Sequence, residues 1–263
     1  MEQSLPLVEF ETKLGEVEAN FDFIEAAKEL RPRLNDILNQ QIGAGSLSPA
    51  KKFIESKTNS VEFIYSGLFV QTIAGFERFI RQLIGHTANQ IAKSVDKIDK
   101  LPSKFNSRHI VLTGKALATF EKPRDFQNHD FQKLIKNLAS CTPENINFEI
   151  NSQVFSFEVT SSTPPIIENA LKNIHVEIDW DLLGKNPGLE KLLSAKGARA
   201  TGKSAKQKWA DLCKWRNGIS HAGDFEVTIS KQNLIETIEF LKIFSKFLHS
   251  ESQKQFLPSK RGN

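Results

Sequence analysis

An apolar stripe at helical spacing runs through residues 61–91: Val61, Ile64, Leu68, Ile73, Phe76, Ile80, Leu83 and Ile91, with no proline to interrupt it. A helix that long, apolar along one broad face, needs other helices to cover it. The stripe therefore constrains the chain to a helical bundle with this segment as a central helix.

Partners for that helix are legible on either side. Leu7, Phe10, Leu14, Val17, Phe21, Ile24 and Ala27 repeat at helical spacing within a helix expected over 5–43. Pro32 should break or kink it near Arg31, leaving a second piece from Leu34 to Ile42 before Gly43-Ala44-Gly45. Ser48-Pro49 restarts the chain as a cap followed by a first-turn proline. Residues 104–121 and 128–140 read as shorter helices separated by Lys122-Pro123. The last helix, about Lys231 to His249, aligns Leu234, Ile238, Leu241, Phe244 and Leu248.

Between these, the period changes. Phe148 and Ile150, then Phe155, Phe157 and Val159, alternate with polar residues, which predicts a small β-hairpin insertion at about 142–165. Residues 166–184 fit either strand or helix, Asn186-Pro187-Gly188 reads as a turn, and Leu189 to Leu193 as helical. The expected organisation is an N-terminal helical segment over 1–47, a helical domain over 48–250 and a flexible tail over 251–263.

Composition excludes several classes. No apolar run is long enough for a membrane span, and Met1-Glu2-Gln3-Ser4 does not start a secretory signal. The two cysteines, Cys141 and Cys213, sit in apolar patterns and lack metal-ligand spacing, so buried thiols of a cytoplasmic protein are expected, with no metal and no cofactor. A net charge of +4 is too mild to establish nucleic-acid binding by itself.

The chemistry concentrates in Trp215-Arg216-Asn217-Gly218-Ile219-Ser220-His221-Ala222-Gly223, between two helical patterns. Arg216 is a permanent cation with a planar fork of donors suited to phosphate. His221 titrates near neutrality and can move protons. Gly218 and Gly223 would let the backbone leave the helix and bend. The Arg-x4-His spacing also occurs at Arg81–His86 and Arg124–His129. The former falls inside a helix, on rather different faces, and the latter in a polar stretch after Pro123, so both read as structural.

Arg216-Asn217-x3-His221-x-Gly223 resembles the Arg-x4–6-His motif of HEPN proteins, most of all the bacterial RiboL-PSP-HEPN-like branches. The resemblance implies an all-α HEPN-like helical bundle that forms a homodimer and cuts RNA without metal, in bacterial toxin or phage-defence systems. It implies His221 as proton donor or acceptor, Arg216 as the stabiliser of phosphorane charge, and Asn217 as a residue orienting His221 or holding the loop. HEPN domains often carry a polar residue facing the active loop from a central helix; Glu77 is either that or a solvent-side charge. An antitoxin or defence-system partner is also implied. One HEPN group continues His-x-Tyr, with the Tyr modified by its antitoxin, but Gly223 stands at that position here. The alternative is a non-catalytic helical module that binds RNA or protein.

Lys196, Arg199, Lys203, Lys206 and Lys208 give the stretch before the motif five positive charges and no acidic residue. It is expected to be a mobile loop over Gly197 to Lys203, with Ser204 capping the next helix, and to be either an RNA-backbone contact or a solvated linker. Gly197-x4-Gly202-Lys203-Ser204 has Walker A spacing, but no strand pattern precedes it, so no nucleotide site is expected.

Overall fold

The computed structural model describes residues 5–40, 59–119, 130–159, 161–221 and 228–254; the side chains of residues 31, 32, 34–40, 59–63 and 221 lie outside this description. The long helices are α1 (Leu5–Gln40), α2 (Asn59–Lys93), α3 (Ser103–Ala118), α8 (Ala198–His221) and α9 (Lys231–Lys254). Shorter ones are α4 (Phe131–Ser140), α5 (Pro164–Lys172), α6 (Trp180–Leu183) and α7 (Pro187–Leu192).

α2 is the hub. It packs against α1, α8, α9, α5 and the 152–158 segment. Its stripe meets an aromatic cluster: Phe76 lies against Phe10, Phe79, Trp209 and Phe244, with ring centroids 5.6, 5.9, 6.2 and 5.6 Å away. Such offset and tilted pairs add favourable ring–ring contact to the burial of large apolar area. Phe69 faces Trp215 and Phe76 faces Trp209, so α2 and α8 run antiparallel.

Several expectations need correction. No strand is present among the described residues, so the hairpin at 142–165 is not formed. A 3-10 segment, Ser152–Glu158, stands there instead. Val154 and Phe155 are buried, and the Phe155 ring stacks on Phe105 at 4.7 Å. The two-residue alternation implied two pairing strands, but the backbone groups find other partners. Asn151 N–H donates to His109 Nε2 (2.9 Å), and Val154 and Val159 N–H close tight turns onto Asn151 and Ser156 carbonyls.

α1 is helical through Pro32 rather than ending there, because a proline removes one intrahelical donor and need not stop the helix. The expected mobile loop is also absent: α8 begins at Ala198, so Lys203 and Ser204 are interior helical positions and Ser204 is no cap. Gly197 adopts a left-handed conformation (φ 85°), and its N–H is held by Glu190 Oε1 at 3.0 Å. Gly202 and Gly184 allow α8 and α6 to touch backbone to backbone: a Cβ on Gly202 would overlap the Trp180 carbonyl, and one on Gly184 the Ala198 carbonyl. Nor does Gly218 release the helix, since α8 continues to His221. A helical glycine costs about 1 kcal/mol relative to alanine, too little to end a packed helix. α9 runs past Ser250 to Lys254, so residues 251–254 are helical rather than part of a flexible tail.

Cys213 is buried while Cys141 is only half-buried. Among the described residues no helix is long and apolar enough to cross a membrane. The readings at Gly43–Gly45, Ser48-Pro49, Lys122-Pro123, Arg124–His129 and Gly223 lie outside the described residues.

Candidate functional site

α8 carries the motif on its final turns. Trp215 and Ile219 turn toward the core, and Trp215 packs on Phe69 of α2 with centroids 6.3 Å apart. This fixes the helix rotation and sends Arg216 sideways into the seam with α2. Helical side chains lean toward their own N-terminus. On antiparallel helices, Arg216 and Glu77 therefore reach toward one another from opposite directions.

Arg216 Nη2 lies 3.5 Å from Glu77 Oε2, and Nη1 donates to Asn217 Oδ1 at 3.0 Å. Arg216 Nε is buried with no hydrogen-bond partner among the described residues. Glu77 is thus not a solvent-side charge: its side chain is 17% exposed, and its other oxygen accepts from Ser162 Oγ at 2.7 Å. Ser162 also contacts Cys213, whose Sγ donates to the Ser162 carbonyl at 3.2 Å. Burial pushes the Cys213 thiol up, and the nearby Glu77 charge adds to this, so the group stays a neutral hydrogen-bonding thiol. Ser162 was missed in the sequence, where it is one small polar residue in a turn-rich stretch.

His221 is the last residue of α8, and its side chain lies outside the described residues. Five helical steps lead from position 216 to position 221, about 140° around the axis and ~7.5 Å along it. The two positions therefore do not share one face of α8.

The second Arg-x4-His copy is built differently. Arg81 Nη2 is bound to the Val159 carbonyl at 2.8 Å. His86 is half-buried, and burial, reinforced by Lys93, lowers its pKa. Spacing alone does not separate this copy from the one at Arg216; the carboxylate and amide around the guanidinium do.

The five basic residues before the motif divide into two groups. Lys206 is ion-paired with Glu168 (2.6 Å) and lies over the Trp180 ring, while Lys208 is ion-paired with Glu236 (3.2 Å) and lies over Trp215. Lys196, Arg199 and Lys203 are exposed around the start of α8. Among the described residues no three His, Cys, Asp or Glu side chains gather to hold a metal ion.

The described residues form an all-helical bundle, consistent with a HEPN-type domain. The RiboL-PSP-HEPN family model matches residues 23–253, and the chain belongs to that family. Neither the curated proteins nor the solved structures contain a match.

Proposed function

We propose that this protein is a metal-independent endoribonuclease of a bacterial toxin or phage-defence system, acting in the cytoplasm as a homodimer. RNA carries its own nucleophile, the 2′-OH. In this reading His221 takes the proton from that hydroxyl or returns one to the leaving oxygen. Arg216 stabilises charge developing on the phosphorane oxygens. Asn217 and Glu77 hold the guanidinium in place, and the exposed Lys196, Arg199 and Lys203 meet the RNA backbone, with Lys206 and Lys208 contributing less because they are already paired.

The observation that carries the reading is Arg216 clamped between Glu77 and Asn217 on the last turns of α8, inside a domain of the RiboL-PSP-HEPN family. In a two-fold homodimer, one motif per chain would give two Arg216 and two His221 facing across the axis. Regulation by a modified tyrosine after the motif is not part of the reading, since Gly223 stands there.

The test is cleavage of RNA in EDTA, leaving 2′,3′-cyclic phosphate ends, with Arg216→Ala and His221→Ala folded but inactive. A requirement for Mg²⁺ with 5′-phosphate products sinks the mechanism. The second reading is a non-catalytic RNA- or protein-binding module. The same ion pair favours it, because a structural arginine would also sit against a carboxylate. Unfolding of Arg216→Ala in a protein that never cuts RNA would decide for it.

A further inference from the structure

A groove of about 590 Å³ lies between the first turns of α3 and the C-terminal turn of α5. Lys104, Ser107 and Arg108 line it from α3, and Lys172, Asn173 and His175 from α5 and the turn that follows. No earlier element of the proposed site uses any of these residues.

Two of its three cations are unspent. Lys104 and Lys172 are exposed and have no ion-pair or hydrogen-bond partner among the described residues. Lys206 and Lys208, nominated by the sequence, are both paired. Arg108 is aimed by Glu158, which binds its Nε at 3.0 Å and also pairs with Nη2. Glu158 further accepts from Asn173 Nδ2 at 2.5 Å, locking the two walls together. Glu177 is the opposing charge on the rim, exposed and without a partner among the described residues. Counting Lys104, Arg108 and Lys172 against Glu158 and Glu177 leaves the groove one positive charge in excess.

The turn is built in an unusual way. His175 has φ 60°, the left-handed conformation usually given to glycine after a helix. Its N–H closes on the Lys172 carbonyl at 3.0 Å, and Val176 N–H on that of Leu171 at 3.0 Å. His175 Nε2 is buried with no partner among the described residues.

The groove is tied to the motif by one short segment. Glu158 holds Arg108 and Asn173, while Ser162 donates to Glu77, which holds Arg216. The four residue steps from Glu158 to Ser162 span at most ~14 Å when extended.

We infer that this groove is a phosphate-binding subsite for the RNA strand that passes the Arg216 site, with Lys104, Lys172, Ser107 and the free edge of Arg108 contacting backbone oxygens. This rests on the ribonuclease reading for its ligand, but it is tested by binding rather than cutting.

The probe is a labelled 2′-O-methyl oligoribonucleotide, which has no free 2′-OH to attack. Its Kd is measured across a salt series for the wild-type protein, for Lys104→Ala/Lys172→Ala, and for Lys133→Ala/Lys185→Ala, which removes the same charge outside the groove. The groove variant should bind several-fold more weakly, with the slope of log K against log salt reduced by about 1.4, roughly 0.7 per lost contact. A Kd and slope matching those of the control variant overturn the inference, as does a wild-type protein that does not bind the probe. Cleavage of ordinary RNA is scored separately. Cutting without groove-dependent binding removes the subsite and leaves the nuclease; groove-dependent binding without cutting removes the nuclease and leaves the subsite.

Discussion

Glu77 Oε2 sits 3.5 Å from Arg216 Nη2, joining the middle of α2 to the end of α8. The pair neutralises a cation in a half-buried seam and aims it at the same time. Both side chains keep some exposure, so the pair's contribution to stability is modest. A large effect of Glu77 on cleavage would therefore point to positioning.

Glu77→Gln retains an oxygen for the Ser162 hydroxyl but removes the charge beside Arg216. Thermal unfolding should shift by about 1 kcal/mol or less. RNA cleavage should fall by roughly tenfold, about 1.4 kcal/mol of transition-state stabilisation. If Glu77 acts by holding Arg216, Glu77→Asp, which keeps the charge, should lose less activity than Glu77→Gln. Equal losses in Glu77→Asp and Glu77→Gln would separate the two residues.

Gly202→Ala tests the contact between α6 and α8. The added methyl would overlap the Trp180 carbonyl, which is backbone and cannot swing away. A cost of about 1–3 kcal/mol or more is expected. At ~2–4 °C per kcal/mol for a chain of this size, Tm should drop by several degrees. Gly114→Ala, where a Cβ meets nothing within 4 Å, is the control and should not lower it.

Acid should weaken the α3 region through His109. Burial holds its pKa down to about 4 from an ordinary 6.5, while its Nε2 accepts the Asn151 N–H. Below pH 6.5 the unfolded chain binds a proton that the folded chain refuses. The stability is therefore complete above pH 6.5 and is lost as pH falls toward about 4, by about 3 kcal/mol at most. Urea midpoints of wild type and His109→Gln, measured from pH 7.5 to 4.5, should converge as the pH drops. Parallel curves would assign the acid sensitivity elsewhere.

Mixed dimers test the shared cleft. Arg216→Ala homodimers would hold two His221 and no Arg216, and His221→Ala homodimers the reverse; both should be inactive. Co-refolded heterodimers keep one of each in a common cleft and should regain partial activity. Verified heterodimers as inactive as their parents would exclude a shared site, and an active wild-type monomer would exclude the dimer itself.

The sequence by itself determined the long central helix and the last helix. The stripe from Val61 to Ile91 and the row from Leu234 to Leu248 are local periodicities, and a period of 3.6 is written into spacing alone. Tertiary structure decided what each charge and small residue does. Glu77 could face solvent or Arg216 until α8 packed antiparallel to α2. Lys206 and Lys208 looked like a free basic run until Glu168 and Glu236 came beside them. Gly202 looked like loop flexibility until α6 pressed on it. The alternation at Phe155, Phe157 and Val159 signalled strands, but a strand needs a partner edge, and α2 and α3 offered packing surface instead. Ion pairs and close approaches form between segments far apart in the chain, so no local spacing encodes them.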